Sequence, residues 1–259
     1  MMKRLVIDQM GNRVEFNFPP KRIISLVPSQ TELLHSLGLE NEVIGITKFC
    51  VHPSNWKSEK QLVGGTKRLH LRVIDDLQPD LIIGNKEENE REDILSLQER
   101  YPVWMSDIAT LADAYNMIKQ IGDICDRAER ASQIVEQAQN AFAQLRKKEG
   151  SVLYLIWMKP WMGVGADTFI HHLLSEIGFT NTLQSKSRYP ELSESDLEGL
   201  NPSYVFLSSE PYPFRQRHLG ELEKLFPNAK VILVDGEFFS WYGSRLMKAP
   251  QYFNSLNLS

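Results

Sequence analysis

Two stretches of the chain carry one pattern, and it narrows the possible folds sharply. Leu77-Gln78-Pro79-Asp80-Leu81-Ile82-Ile83-Gly84 matches Leu200-Asn201-Pro202-Ser203-Tyr204-Val205-Phe206-Leu207. Each reads as the end of a helix, a Leu-x-Pro break and an apolar strand. A proline just past a helix end cannot continue the helix, and it biases its neighbour towards extended backbone. An unbroken apolar run of this length suits a strand covered on both faces, as in a parallel sheet. Each strand runs into a polar tip, Asn85-Lys86-Glu87-Glu88 in the first and Ser208-Ser209-Glu210 in the second. Ligands of open α/β sheets sit outside such carboxyl ends.

The repeat extends to whole lobes. Ile23–Val27 reads as a strand, Pro28-Ser29-Gln30 as a turn, and Thr31–Leu37 as a helix stopped by Gly38. The second half answers with a strand at Val152–Trp157, a longer turn, and a helix from Thr168 to Leu174 stopped by Gly178. Tyr101-Pro102-Val103-Trp104-Met105 parallels Phe226-Pro227 and the strand Lys230–Val234. Strand–helix alternation in both halves argues parallel sheets with right-handed crossovers. Between them lies the longest helical pattern. It opens with Asp126-x-x-Glu129, a capping-box analogue, and carries apolar or small residues at Ala131, Ile134, Val135, Ala138, Ala141, Phe142 and Leu145. It contains neither Gly nor Pro, ends in Arg146-Lys147-Lys148 before Gly150, and would span about 35 Å. The expected fold class is therefore α/β: two similar lobes with mainly parallel sheets, joined by one long rigid α-helix, with a cleft between the lobes. The expected divisions are an N-terminal lobe at 1–122, a backbone helix at 123–149 and a C-terminal lobe at 150–259. A rigid connector implies only a small lobe rotation when a ligand binds.

Composition excludes several functions. A net charge of −4 and the absence of a basic stripe with interleaved aromatics argue against nucleic-acid binding. No apolar run is long enough to span a membrane. Met1-Met2-Lys3-Arg4 resembles the start of a signal peptide, but only Leu5-Val6-Ile7 follows before Asp8. Leu5–Ile7 and Val14–Phe16 read instead as the strands of a hairpin. Cys50 and Cys125 lie in different contexts and are not expected to pair. Together these features lead to an expectation of a cytoplasmic protein, the alternative being a periplasmic one whose signal peptide has been removed.

The hairpin Asp8-x-x-Gly11-x-x-Val14, followed by Pro20-Lys21-Arg22-Ile23-Ile24-Ser25-Leu26 and Pro28-Ser29-x-Thr31-Glu32, resembles the class III, helical-backbone substrate-binding proteins of ABC transporters. The Leu-x-Pro-Asp-Leu-Ile-Ile strand and the mid-chain helix fit the same family, so the resemblance covers nearly the whole chain. It implies binding of cobalamin, a ferric siderophore, haem or a metal ion between two α/β lobes. The cobalamin branch is the most similar. Its Tyr and two Trp on the first lobe correspond here to Phe49, Thr66 and Asn85, of which one is aromatic. In the resembled family a Glu on each lobe, on the helix before the Leu-x-Pro break, docks onto permease arginines. The matching positions hold Arg72 and Ser195. Like charges facing each other cost affinity, so an ABC permease partner is doubtful unless Asp75, Asp76, Glu194 or Asp196 substitutes.

The strand tips supply the candidate site. On the first lobe the expected ligand-binding residues are Ser29, Phe49, His52 and Lys86. On the second lobe they are Trp157, Trp161, Arg188, Tyr189, Tyr212, Phe214, Trp241, Tyr242 and Arg245. Aromatic residues in loops favour a planar or aryl-bearing ligand, and the arginines beside them favour an acidic one. For any one aromatic, packing down its own loop is an equally good account, and the arginines equally suit surface salt bridges. Cys50 and His52, two apart on an extended segment, form half of a soft metal site; a purely structural role is the plainer reading of the pair. Glu87, Glu88 and Glu210 offer further oxygen ligands, although loop carboxylates are usually solvated. Gly163-Val164-Gly165-Ala166-Asp167 lacks the third glycine of a dinucleotide fingerprint and reads as a turn, and neither a nucleophile elbow nor a Walker loop occurs. The expected function is non-enzymatic binding of a corrinoid, iron chelate or other metal complex. The alternatives are a tetrapyrrole metal chelatase, or a conventional periplasmic binding protein of an ABC transporter.

Overall fold

A computed structural model describes residues 2–258. They fall into two compact units. The first comprises residues through Asp107, with Ala112–Gln139 and Tyr242–Met247; the second comprises Ile108–Leu111, Asn140–Trp241 and residues from Lys248 onward.

The first unit opens with an antiparallel hairpin, β1 (Met2–Ile7) and β2 (Arg13–Phe18). Asp8 explains the motif at its turn. One carboxylate oxygen accepts the backbone N–H of Met10 and Asn12 at 3.0 and 2.7 Å, and Gly11 takes φ +83°. The other accepts the Met105 N–H, tying the turn to the sheet edge. That sheet contains β3 (Ile23–Ser25), β4 (Val43–Ile46), β5 (Gln61–Leu62), β8 (Leu81–Asn85) and β9 (Val103–Ser106) in the order β5-β4-β3-β8-β9. All neighbours are parallel. A small ribbon of β6 (Gly64–Gly65) and β7 (Arg68–Leu69) stands apart from it. The connecting helices are α1 (Pro28–Ser36), α2 (Trp56–Glu59), α3 (Leu71–Leu77) and α4 (Arg91–Gln98), followed by α5 (Leu111–Ile124) and α6 (Ala128–Ala143). Pro28-Ser29-Gln30, expected as a turn, is instead the first turn of α1. Proline suits the first helical position, where its missing N–H has no intrahelical partner to lose.

The second unit repeats the scheme with variations. Its strands are β10 (Ser151–Trp157), β11 (Trp161–Gly163), β12 (Thr180–Asn181), β13 (Glu191–Leu192), β14 (Tyr204–Ser208) and β15 (Lys230–Val234). Their order is β13-β11-β10-β14-β15, with β12 beside the start of β10. The β10–β14–β15 ladder is parallel, whereas β11 pairs antiparallel with both β10 and β13. Helices α7 (Phe169–Ile177), α8 (Glu194–Glu198), α9 (Leu219–Leu225), α10 (Glu237–Ser240) and α11 (Ala249–Ser255) complete it. Helix α7 is bounded as the sequence suggests, by a Thr168 side chain that accepts the His171 N–H and by Gly178 at φ +105°.

The Leu-x-Pro breaks have a common physical role. In the first unit Gln78 ends α3 at φ +43°, and Asp80 accepts the backbone N–H of Lys21 and Arg22 at 2.8 Å each. The Arg22 side chain returns to the Leu77 and Gln78 carbonyls. In the second unit the residue at the same point, Ser203, donates its N–H to the Ser151 carbonyl at 2.9 Å and accepts the Ser151 N–H on its hydroxyl at 3.2 Å. In each unit a short polar side chain thus staples the start of one strand to the start of its neighbour, fixing the register of β8 on β3 and of β14 on β10.

The mid-chain helix is shorter than expected. Asp126 is not its cap but a turn residue at φ +58°, because the Arg127 N–H folds back to the Gly122 carbonyl. A Cβ on Gly122 would lie 2.2 Å from the Ala131 Cβ, so α5 and α6 cross in close contact there. At the other end α6 stops at Ala143 and spans about 24 Å. The Arg146 N–H is taken by the Asn254 side chain and the Lys148 N–H by the Ile177 carbonyl, which removes both from any further helical turn. Cys125, in the α5–α6 turn, is fully buried, and burial pushes its thiol up to about 12. Among the described residues no helix is long and apolar enough to cross a membrane.

Asp80→Ala should cost about 2 kcal/mol, because it removes the charged acceptor of two backbone N–H groups. Ser203→Ala should cost about 1 kcal/mol. Urea midpoints measured by circular dichroism check both values and their order.

Candidate functional site

In the first unit the carboxyl ends of the strands meet in a buried polar network. Gln30 donates to the Ser106 hydroxyl at 2.6 Å and to the Gly84 carbonyl at 3.3 Å. Asn85 donates to Ser106, and its side-chain oxygen accepts the Glu87 and Glu88 N–H groups. Asn89 accepts the Asn85 N–H and reaches the Leu26 and Thr66 carbonyls. The network stiffens the loop that follows β8. Ser29 and Tyr242 are buried, and Lys86 is exposed and paired with Asp107 at 2.6 Å. Phe49 is half exposed (51%), with the Lys48 ammonium 5.0 Å from its ring centre. Its ring edge lies over Gly65, where an added Cβ would approach to 3.1 Å.

Three expectations for this unit change on inspection. Cys50 points inward, its Sγ 3.0 Å from the Thr31 hydroxyl and 3.3 Å from that of Thr47. Burial pushes its thiol up, which disfavours the thiolate that a metal would need. His52 is half-buried, and no group of three His, Cys, Asp or Glu able to hold a metal occurs among the described residues. Arg245 belongs to this unit rather than the second. Its guanidinium donates from Nε and NH2 to both oxygens of Glu32, at 3.1 and 2.9 Å, with side chains only 10% and 20% exposed. Arg245 is thereby committed to a bidentate ion pair and is not poised for a ligand acid. Ser244 beside it accepts from Ser36 at 2.8 Å, so the Tyr242–Met247 segment is anchored on α1. Tyr242, also assigned to the second lobe in the sequence reading, travels with it.

The second unit presents aromatic surface. Trp157, the last residue of β10, is 38% exposed and meets Tyr212 edge-on at 5.5 Å. Tyr212 meets Phe214 at 4.7 Å, and Phe214 stacks parallel to Trp161 at 6.4 Å. His218 backs both Tyr212 and Phe214 at 5.6 Å, and its Nδ1 accepts the Arg215 N–H. The ribbon runs from the core, where Phe214 is buried, out to solvent at Trp157. Four expected residues therefore come together. Arg188 lies at the end of a neighbouring loop, its backbone N–H and guanidinium both held by Asp167, with its own neighbour Tyr189 at 5.7 Å. Trp241 is buried (5%), and its indole N–H donates to Glu210 at 3.0 Å. It is a packed residue rather than ligand-facing surface in this conformation. Glu210, expected to be solvated, is half-buried, and its desolvation outweighs its hydrogen bonds and raises the carboxyl above the usual glutamate value.

The two positions matched to docking glutamates, Arg72 and Ser195, are exposed. Of the neighbouring acids, Asp75 is occupied by Arg100 and Tyr101, and Asp196 closes a capping box with Ser193. Asp76 and Glu194 are exposed.

Each of the two α/β units carries a parallel ladder and presents its carboxyl-end loops, where open α/β sheets hold their ligands. The chain belongs to the periplasmic binding protein family, whose profile matches residues 23–225. Among curated relatives, an uncharacterized ABC transporter substrate-binding lipoprotein, YvrC of Bacillus subtilis, is 24% identical over 78% of this chain and 68% of its own. A vitamin B12-binding protein of Pectobacterium carotovorum is 24% identical over 90% of this chain and 86% of its own. Among solved structures, the periplasmic vitamin B12 binding protein BtuF of Vibrio cholerae has a TM-score of 0.76 at 20% identity, covering 92% of this chain and 96% of that one. The siderophore binding protein BauB has a TM-score of 0.77 at 16% identity, covering 99% and 100%. At these identities the structures establish the shared fold. The expectations of a cytoplasmic protein and of a chelatase find no support among these relatives, which are described as lipoprotein, periplasmic or binding proteins.

Arg245→Ala should destabilise the first unit by about 3 kcal/mol, because it strands the Glu32 carboxylate in a mostly buried site. The paired change Glu32→Leu with Arg245→Met should recover most of that loss. Thermal melts of the three variants test the ordering.

Proposed function

We propose that the chain is the ligand-binding component of an ABC-type importer, acting outside the cytoplasmic membrane on a bulky metal chelate of the corrinoid, haem or ferric-siderophore class. Family membership supports the binding role, and the vitamin B12-, haem- and siderophore-binding proteins among its relatives support the ligand class. The observation that carries the reading for this chain is the aromatic ribbon ending in half-exposed Trp157 beside Tyr212 at the carboxyl end of β10. Such a surface offers rigid apolar contact to a flat or cage-like ligand at little entropic cost. Phe49 supplies a similar exposed ring at the tip of β4. The candidate cations contribute less than their number suggests, since Arg245 and Lys86 each already serve a carboxylate.

Tryptophan-quenching titrations with cyanocobalamin, haemin and a ferric hydroxamate test the ligand class. At least one should bind, and Trp157→Ala should weaken that affinity by about 1–3 kcal/mol with the fold intact. Failure of all three to bind defeats the reading.

Coupling to a permease would rest on exposed Asp76 and Glu194 in place of Arg72 and Ser195. Asp76→Ala and Glu194→Ala should each weaken co-purification with an ABC permease of the native host that binds this chain, whereas Asp75→Ala should not. A complex indifferent to both substitutions removes these acids from the interface.

A further inference from the structure

Glu210 is a half-buried carboxylate that the binding role alone does not explain. It follows the tip of β14, and its Oε1 receives two donors from one short turn, the Ser240 hydroxyl at 2.6 Å and the Trp241 indole N–H at 3.0 Å. Its backbone is fixed as well, since the Ser208 hydroxyl donates to the Glu210 carbonyl at 2.6 Å. The Tyr154 hydroxyl in turn donates to Ser208. The fit is close: a Cβ on Gly236 would fall 2.7 Å from the Glu210 Cγ and 2.3 Å from the Ser208 hydroxyl. Position 236 therefore has to be glycine for the β15–α10 turn to approach this carboxylate.

We propose that Glu210 is a positioning residue: as an ionised acceptor it fixes Ser240, Trp241 and the α10 turn against the tip of β14, and the hold weakens when the carboxylate takes up a proton. Hydrogen bonds to an ionised acceptor are roughly twice as strong as neutral ones, so protonation loosens both at once. The groups facing Glu210 favour that protonation. Asp235 from the β15–α10 turn and Glu237 from α10 add like charge, and Tyr154 from β10 is neutral, its own hydroxyl held well above the usual tyrosine value by burial. Desolvation is the largest cause of the raised carboxyl, ahead of these charges. The folded chain thus holds this proton more tightly than the unfolded chain. Glu210 adds stability below the ordinary glutamate range, and that contribution is lost as pH rises through its raised folded value. At neutral pH the charge costs stability, and what it supplies is position.

The test needs no ligand. In indole ¹H–¹⁵N spectra, with the Trp241 signal assigned by its loss in Trp241→Phe, that signal should titrate in the wild-type chain with a midpoint above the usual glutamate value. Glu210→Gln keeps the size and one acceptor; its Trp241 signal should stay flat with pH and match the low-pH wild type. Ser240→Ala removes one donor and keeps the carboxyl, so its midpoint should move up. A flat wild-type signal, a Glu210→Gln signal that still titrates, or an unmoved Ser240→Ala midpoint overturns the proposal. A further arm rests on the chelate-binding reading: affinity for whichever probe binds should fall about three- to tenfold on acidification through the same window, and lose that dependence in Glu210→Gln. If no probe binds, that reading fails while the indole arm still decides the role of Glu210.

Discussion

The stapling of neighbouring strand starts underlies everything else in this chain. A parallel pair slipped by one residue turns every side chain to the opposite face, so a sheet with both faces covered has to fix its register at one end. Asp80 does this for β8 on β3 by accepting two backbone N–H groups, and Ser203 does it for β14 on β10 by a reciprocal pair with Ser151. The preceding proline releases the chain from its helix at the right point. Once the amino ends are aligned, the carboxyl ends of the strands are level too, and the residues beyond them are delivered together.

What is delivered differs between the units. The first ends in amides and hydroxyls that satisfy one another, from Gln30 through Ser106 to Asn89, and so holds its loops without using charge. The second ends in aromatic rings that lean on one another from Phe214 to Trp157. In the first unit Arg245 answers Glu32 and Lys86 answers Asp107, so those two cations are already matched by carboxylates in the folded chain.

Much of the fold was legible because it is written in local signals: apolar runs for β8, β10 and β14, Gly38 and Gly178 as helix stops, and Asp8 with Gly11 for the hairpin. The errors arose where a distant partner decided the outcome. Helix α6 stops early because Asn254 and Ile177 capture backbone donors from far along the chain. Arg245 looked like a ligand contact because Glu32 lies 213 residues away. Glu210 looked solvated because nothing near it in sequence reveals that Gly236 lets a turn close over it. The start of α1 is a different kind of miss, since proline at a first helical position is a local signal. Among the expected aromatics, Trp157, Trp161, Tyr212 and Phe214 touch one another in the folded chain. Trp241 was separated from them by a hydrogen bond that only the folded chain displays.

The inward orientation of both cysteines has a practical consequence. Cys50 is closed in by Thr31 and Thr47, Cys125 is sealed in the α5–α6 turn, and both thiols are shifted away from the reactive thiolate. Towards maleimides and similar reagents the native chain should therefore be nearly silent. A single cysteine placed at an exposed tip would carry a dye or spin label with little background, without first removing the natural thiols and the packing they support. The same burial that keeps Cys50 from the surface leaves the chain ready for site-selective labelling.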